Sequence, residues 1–526
     1  MGIPILIDLE ASHGMQALGS VVYPTNICSG CSFDADLYGK MMTLIAKELR
    51  LSGTHIGFMT IIDMATDPRF GRTEESFGED PLLASRMAFS AVKGFERENT
   101  SICAKHFLAH GGATSGHMCG EICSGIRNIH EIHIPPAKAA IEAGADLVMT
   151  AYDVAAASMV LLKNNDKILP LKSSQKIALI GPQADSIYHL LGDYTSPRKV
   201  GEMNTIHEEM AKRFEKVTVA EGYKFEGGKE GFAEALDIAR EADVTVLLMG
   251  GSSVRDFSTK FNGAGTAIGC GDVFMDCGEG FDVASLNVPG SQVQLLEELK
   301  ALGKPVVAVL IQGRPYALPE VSEMADAILA AWYPGQFGGK AMADMLLGNI
   351  QPSGRLCVSI PRGSEYLTVA YNRYKSTARN YVDKWSGVIY PFGYGLSYMP
   401  KSYSNLRVGG NYSTEDIANG KCYTVSVDVE NLGDKPIKET VCMYISASKQ
   451  PVYRRAKELA DFKKIVLQPG EKTTVELCLG KDSISYLDKN AKRRLGPGKF
   501  VVSVGVNPDE ELQFELQLEG VDMSMK

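Results

Sequence analysis

The chain has 526 residues, 45% of them hydrophobic, enough for about three domains at roughly 100–200 residues each. Lys and Arg number 54 against 63 Asp and Glu, a formal net charge of −9. That balance speaks against nucleic acid as a partner and favours a neutral or cationic substrate.

Residues 1–157 alternate strand and helix patterns. Ile3–Leu9 is a short apolar run. Asp36–Leu51 has helical spacing, with Leu37, Met41, Leu44, Ile45 and Leu49 near one face. Ile56–Met64 reads as a strand, Pro81–Arg97 as a helix opening on proline, Ile102–Phe107 as a strand, and Pro136–Ala143 as a short helix. Asp146–Ala151 reads as a fourth strand. Such alternation predicts a parallel sheet with helical crossovers. Polar residues gather where the strands end: Glu10 and His13, Asp67 and Arg72, Lys105 and His106, and Tyr152. In parallel α/β folds that end carries the site.

Residues 158–372 form a second α/β block, with strands predicted at Lys176–Ile180, Val217–Ala220, Val244–Met249, Val306–Ile311 and Ala327–Ala331. Gly250-Gly251 follows a strand, but no dinucleotide-binding glycine pattern continues from it. Residues 373–400 read as a connector. From Lys401 the period changes to two: Tyr423, Val425, Val427 and Val429 alternate with polar residues, as do Val475, Leu477 and Leu479. Residues 401–526 therefore predict a β-sandwich. The fold class expected is multidomain α/β plus β.

The eleven cysteines are odd in number and scattered, which predicts free thiols in a reducing compartment. Cys28 and Cys31 read as two ordinary thiols in a loop. Arg454–Arg455 and Lys492–Arg494 read as solvated turns. The N-terminus has neither a basic region nor a cleavage site, so no signal peptide is expected and a cytoplasmic location is. No run of about eighteen apolar residues occurs, so no membrane partner is expected.

Several longer strings, in order, resemble glycoside hydrolase family 3. They begin with Gly2-Ile3-Pro4 through Glu10-Ala11-Ser12-His13-Gly14. Asp67-Pro68-Arg69-Phe70-Gly71-Arg72 and Glu75-Ser76-Phe77-Gly78-Glu79-Asp80-Pro81 follow, then Lys105-His106-Phe107 and Met149-Thr150-Ala151-Tyr152. Beyond these come Val160-Leu161-Leu162-Lys163-Asn164, Gly278-Glu279-Gly280-Phe281-Asp282, Trp332-Tyr333-Pro334-Gly335 and Tyr390-Pro391-Phe392-Gly393-Tyr394-Gly395. The tail resembles the family's fibronectin type III-like module. The resemblance implies a retaining β-glycosidase of β-glucosidase or β-xylosidase type, acting on β-linked glucosides, xylosides or short oligosaccharides. It implies Glu279 as the acid/base, and Glu10, Arg72, Lys105, His106 and Tyr152 as residues that hold the sugar. It implies no metal and no organic cofactor.

Retaining hydrolysis needs two carboxyl groups about 5–5.5 Å apart, one a nucleophile and one a proton donor. Asp256, Asp272, Asp276 and Asp282 share the Gly250–Gly280 region or its border with Glu279 and remain open as the donor. The nucleophile is a harder question. The family places it in an S-D-[WY] string on a later barrel strand, and no such string occurs here. Tyr152-Asp153 runs within a few residues into Ser158-Met159-Val160, which belongs to the second block. A full (β/α)8 barrel takes about 250 residues and eight strands. Residues 1–157 supply four predicted strands, and the family's strand preceding Gly2 is expected to be missing too. The N-terminal block is thus expected to be an incomplete barrel half. Asp153 is a weak substitute nucleophile, since it stands on the wrong strand. The chain is expected to hydrolyse little or nothing. The alternatives are a catalytically dead sugar-binding relative, a truncated gene product, or a non-enzymatic interaction module built on the later domains. A homo-oligomer that covers the open half is a further expectation.

Overall fold

The computed structural model describes residues 7–105, 109–112, 116–117, 125–143, 151–195, 201, 203–254, 260–261, 267–268, 274–367, 370–373, 387–449, 452, 454–507 and 510–525. Side chains are described over most of these, though not at 59–61, 110, 126, 151–154, 260–261, 267–268, 448–449, 506–507 or 510.

The first unit is a three-stranded parallel sheet in sequential order: β1 (Asp8–Glu10), β2 (Ile56–Ile61) and β3 (Ser101–Lys105). A short helix α1 (Asn26–Gly30) and two long ones, α2 (Ala35–Leu51) and α3 (Pro81–Glu96), make the crossovers. Each long helix starts on an aspartate that satisfies a first-turn amide. Asp34 accepts from Leu37 N at 2.9 Å, and Asp80 accepts from Leu83 N at 2.7 Å, with Pro81 in the first turn. After β3 the helix type changes along the chain: α4 (Ile126–Asn128) runs into a π-helix, Ile129–His133, and then into α5 (Ile134–Ile141).

The structure corrects three expectations in this unit. The fourth strand was placed at Asp146–Ala151, but residues 146–150 lie outside the described residues and Ala151 opens helix α6 (Ala151–Ser158). Tyr152 and Asp153 therefore stand in a helix, not at a strand end. The Ala155-Ala156-Ala157 run favours that state. Cys28 lies in α1 rather than a loop, fully buried, with its Sγ 3.0 Å from Ser158 Oγ. Cys31, just beyond α1, has its Sγ 3.4 Å from that of Cys357, and both are free thiols.

The second unit is a six-stranded sheet ordered β4-β11-β10-β7-β5-β6. Its strands are β4 (Val160–Asn164), β5 (Lys176–Ile180), β6 (Lys216–Ala220), β7 (Val244–Gly250), β10 (Val306–Ile311) and β11 (Ala327–Ala330). A two-residue ribbon, β8 (Lys260–Phe261) with β9 (Ala267–Ile268), lies between β7 and β10 in sequence. Pairing is parallel except for β4, which runs antiparallel to β11 at the edge. β7 and β10 are apolar along their length and buried on both faces, as a helix-covered parallel sheet requires.

The connector pairs with the end of the second block: β12 (Ile360–Pro361) joins β13 (Val388–Tyr390) antiparallel. The C-terminal unit is a sandwich. One sheet is β14 (Lys401–Gly409), β15 (Tyr423–Asn431) and β18 (Lys472–Leu479). The other is β17 (Glu458–Leu467), β16 (Ile437–Lys449), β21 (Gly498–Asn507) and β22 (Glu510–Leu518). Along β15 every second residue is buried, and Val425, Val427, Val441 and Val502 share the core.

Arg454 and Arg455 are buried, not solvated. Arg454 donates to the carbonyls of Ile484 and Ser483 and to Glu458. Arg455 donates to the Asn372 carbonyl and to Glu131 and Asn128 of the first unit. Lys492–Arg494 leads into a short strand, β20 (Arg493–Leu495), which pairs with β19 (Tyr486–Leu487). Among the described residues no helix is long and apolar enough to cross a membrane.

Candidate functional site

The C-terminal ends of β1 and β3 bring two predicted residues together. Lys105 Nζ lies 2.7 Å and 3.0 Å from the two carboxylate oxygens of Glu10. Glu10 ends β1 and Lys105 ends β3 on either side of β2; by register Glu10 is level with Phe58 and Cys103, and Lys105 stands two residues further on, past a register shift in β2. Arg72 comes from the 3-10 turn Gly71–Glu75. It is buried and forms a two-pronged ion pair with Glu75, Nε to Oε1 at 2.5 Å and Nη2 to Oε2 at 2.8 Å. His106 lies outside the described residues. Tyr152 is placed by its backbone in α6, and its side chain is not described. The structure thus joins Glu10 with Lys105, and Arg72 with Glu279, within one site.

Glu279 reaches that site from the second unit. Its carboxylate stands 3.9 Å from Arg72 Nη1, half-buried. Burial pushes its carboxyl above the ordinary range, Arg72 pulls it back, and Glu75 and Asp193 push it up again. A carboxyl raised in this way suits a proton donor.

The segment bearing Glu279 is clamped to the first unit. Gly278 N donates to the Gly71 carbonyl at 2.9 Å, and Gly71 N donates to Asp282 Oδ1 at 2.7 Å. Fully buried Arg314 donates to the carbonyls of Pro68 and Arg69 on one side and of Asp276 and Phe281 on the other. The Asp282 and Asp276 carboxylates accept from the backbone amides of Gly71 and Ser252 and are thereby occupied. Asp256 and Asp272 lie outside the described residues. Gly71 sits so close that a Cβ there would meet the Gly278 carbonyl oxygen at 2.4 Å, so a side chain at 71 would push the segment away.

Sequence reasoning missed Tyr194, Asp193 and Glu74. The Tyr194 ring centroid is 5.8 Å from both the Arg72 guanidinium carbon and Lys105 Nζ, an aromatic face between two cations. Its φ of 55° is unusual for a residue with a side chain. The Gly192-Asp193-Tyr194 string could have been flagged only as a turn. Among the described residues no group of three or more His, Cys, Asp or Glu is arranged to hold a metal ion. A separate cavity of about 470 Å³ lies between α5 and the sandwich. Arg454 and Arg455 in it are already engaged with carboxylates and carbonyls, and Arg493 with the Ser485 hydroxyl, so it has the chemistry of an interface.

A parallel α/β unit whose strand ends carry polar residues, closed by a carboxylate from a second α/β unit and followed by a β-sandwich, defines a multidomain glycoside hydrolase fold. Models of the Glycosyl hydrolase family 3 N terminal domain and C-terminal domain match residues 1–173 and 159–398, and a fibronectin type III-like model matches 439–507. This chain belongs to glycosyl hydrolase family 3. It is 27% identical to a β-xylosidase of Formosa agariphila, over 96% of this chain and 90% of that protein. It is 25% identical to the periplasmic β-glucosidase of Salmonella typhimurium, over 98% and 86%. Among solved structures, it matches a Listeria innocua β-glucosidase mutant in complex with laminaribiose with a TM-score of 0.88. That match has 24% identity and covers 99% of this chain and 88% of the other.

Proposed function

We propose that this chain binds β-linked glucosides or xylosides at the Glu10–Lys105–Arg72 site, with Glu279 as the proton donor of a β-glycosidase, and that its hydrolytic step is crippled by a missing barrel segment. The observation that carries the reading is the meeting of Glu279 with Arg72 across two units, in a site where Lys105 and Arg72 offer N–H donors to sugar hydroxyls and Tyr194 an aromatic face.

Two lengths support the missing segment. The N-terminal domain model matches 173 residues, against about 250 for a complete barrel. The β-xylosidase match runs over 673 residues, while this chain has 526, so at least 673 − 526 = 147 positions of that match have no residue here. The incomplete barrel half accounts for both, and the join falls after Tyr152-Asp153. A homo-oligomer that covers the open half belongs to the same reading, and the mass of the chain in solution tests it.

Titration with glucose, xylose and the iminosugar isofagomine is the direct test. We expect saturable binding of at least one, weakened about tenfold or more in Lys105→Ala, since each lost charge-assisted hydrogen bond is worth about 1.5–3 kcal/mol. A non-enzymatic interaction module would bind none of them, and Lys105→Ala would then change nothing.

A further inference from the structure

We propose that Asp193 is the positioning residue of this site: its carboxylate holds the Glu279 and Tyr194 backbones while its own backbone is tied to the first unit. This rests on the reading of Glu279 as the proton donor. Asp193 is 1% exposed and lies in the loop after β5. Oδ2 accepts from Glu279 N at 3.0 Å, and Oδ1 accepts from Tyr194 N at 2.8 Å. Its own amide donates to Glu74 Oε1 at 2.8 Å, and its carbonyl oxygen is 2.7 Å from His13 Nε2. One residue of the second unit therefore ties its own segment, which carries Tyr194, to three others: the loop after β1, the turn that bears Arg72 and the loop of Glu279.

The arrangement is built at close range. Gly278, at φ 122°, lets the loop approach, since a Cβ there would stand 2.7 Å from Asp193 Oδ2. Tyr194 is held in its left-handed conformation while its amide is bonded to Asp193, which offsets part of the strain. Glu74 is anchored at its other oxygen by Ser253 Oγ at 2.7 Å. Burial, then the charge of Asp193, raises Glu74 to about 8. The Asp193 carboxylate, for its part, is committed to two backbone amides.

The same charge acts on Glu279. The groups facing Glu279 are Arg72 and Glu75 from the 3-10 turn, Asp193 from the second unit, and Lys105 from β3. Asp193 and Glu75 oppose its ionisation, and Arg72 and Lys105 favour it. Removing the charge at 193 should loosen the loop and also lower the pH at which Glu279 ionises.

The experiment uses the full chain, with Asp193→Asn, Asp193→Ala, Glu279→Gln and Ser253→Ala. Amide hydrogen exchange is followed at Glu279 and Tyr194, with β16 and β17 as the control for an intact fold. Asp193→Ala is expected to speed exchange at both amides at least tenfold. Asp193→Asn keeps one acceptor oxygen and turns an NH2 towards the other amide, so only one of the two should be released. If Asp193→Ala unfolds, exchange rises in β16 and β17 as well, and the near-isosteric Asp193→Asn carries the test.

The second readout is the pH dependence of isofagomine affinity. Binding of this cation should strengthen as Glu279 ionises, and the midpoint should fall in Asp193→Asn but not in Ser253→Ala. Unchanged exchange at both Glu279 and Tyr194 in a folded Asp193 variant, or an unmoved midpoint, overturns the proposal. If isofagomine affinity ignores both pH and Glu279→Gln while exchange responds as expected, the reading of Glu279 is what fails. Asp193 then holds the loop without serving a proton donor.

Discussion

Inserting the unmatched barrel segment of the β-xylosidase relative between Asp153 and Val154 should make the chain hydrolyse aryl β-xyloside at least about 10⁴-fold faster than it does unmodified. The size follows from how catalytic groups act together: losing one member of a nucleophile–acid unit costs roughly 10⁴–10⁶ in turnover. On the proposed reading the unmodified chain retains the donor side of that unit. Glu279 sits against Arg72, and Glu10 and Lys105 are paired nearby. On the proposed reading it lacks the strand ends that would carry a second carboxylate about 5–5.5 Å from Glu279. Binding without a nucleophile leaves sugar in place and its glycosidic bond intact.

The control is Glu279→Ala in the chimera, which should remove most of the gain. Rapid hydrolysis by the unmodified chain would sink this account. Asp153, in α6, would then be the first carboxylate to replace by Asn. A chimera that folds and binds sugar but stays inactive would place the defect elsewhere, in the seating of the Glu279 loop.

Much of the architecture was legible because its signals are local. The apolar stretches Val244–Gly250 and Val306–Ile311 are buried on both faces, and a buried parallel strand is the one element that needs no polar alternation. The alternation at Tyr423–Asn431 maps residue by residue onto burial in the sandwich. Glu10, Arg72, Lys105 and Glu279 were named from strings that resemble the family, and the fold brings them into one site.

What stayed hidden depends on partners far along the chain. Asp193 bonds Glu74 across 119 residues, and Arg455 bonds Glu131 across 324. Two adjacent arginines look like surface until the carboxylate and carbonyls that bury them are known. Tyr194 carries no periodicity, and its importance arises only when two cations of the other unit come to lie beside its ring. The misplacement of Tyr152 at a strand end has a different origin. Asp146–Ala151 has a strand-like composition, but the alanine run after it favours helix, and single-residue patterns do not show where one state yields to the other.

Replacing Glu439 with Ala should destabilise the protein by about 3–5 kcal/mol, the usual cost of removing one partner from a buried ion pair. Glu439 lies at the junction between the second unit and the sandwich. Its Oε1 accepts from Arg355 at 2.7 Å and from Tyr403 at 2.8 Å, and its Oε2 from Lys401 at 2.5 Å. The side chains of Arg355 and Glu439 are 1% exposed and that of Lys401 is 5%. Deleting the carboxylate strands two cations away from water, whereas an exposed pair such as Arg240–Asp237 could be removed at a cost of about 1 kcal/mol or less.

The pH dependence has a definite sign. Burial pushes the Glu439 carboxyl up, but Arg355 and Lys401 outweigh it and hold it below the usual range. The unfolded chain then binds this proton more readily than the folded one. The contribution is complete above the unfolded value of about 4.3 and is lost as pH falls through the lower folded value. Urea unfolding of wild type and Glu439→Gln should therefore differ most near neutrality and converge below about pH 4, at a transition that reports the sandwich parting from the second unit. Equal midpoints at neutral pH would mean that water reaches Arg355 and Lys401 once the carboxylate is gone, and that the junction is held by packing alone.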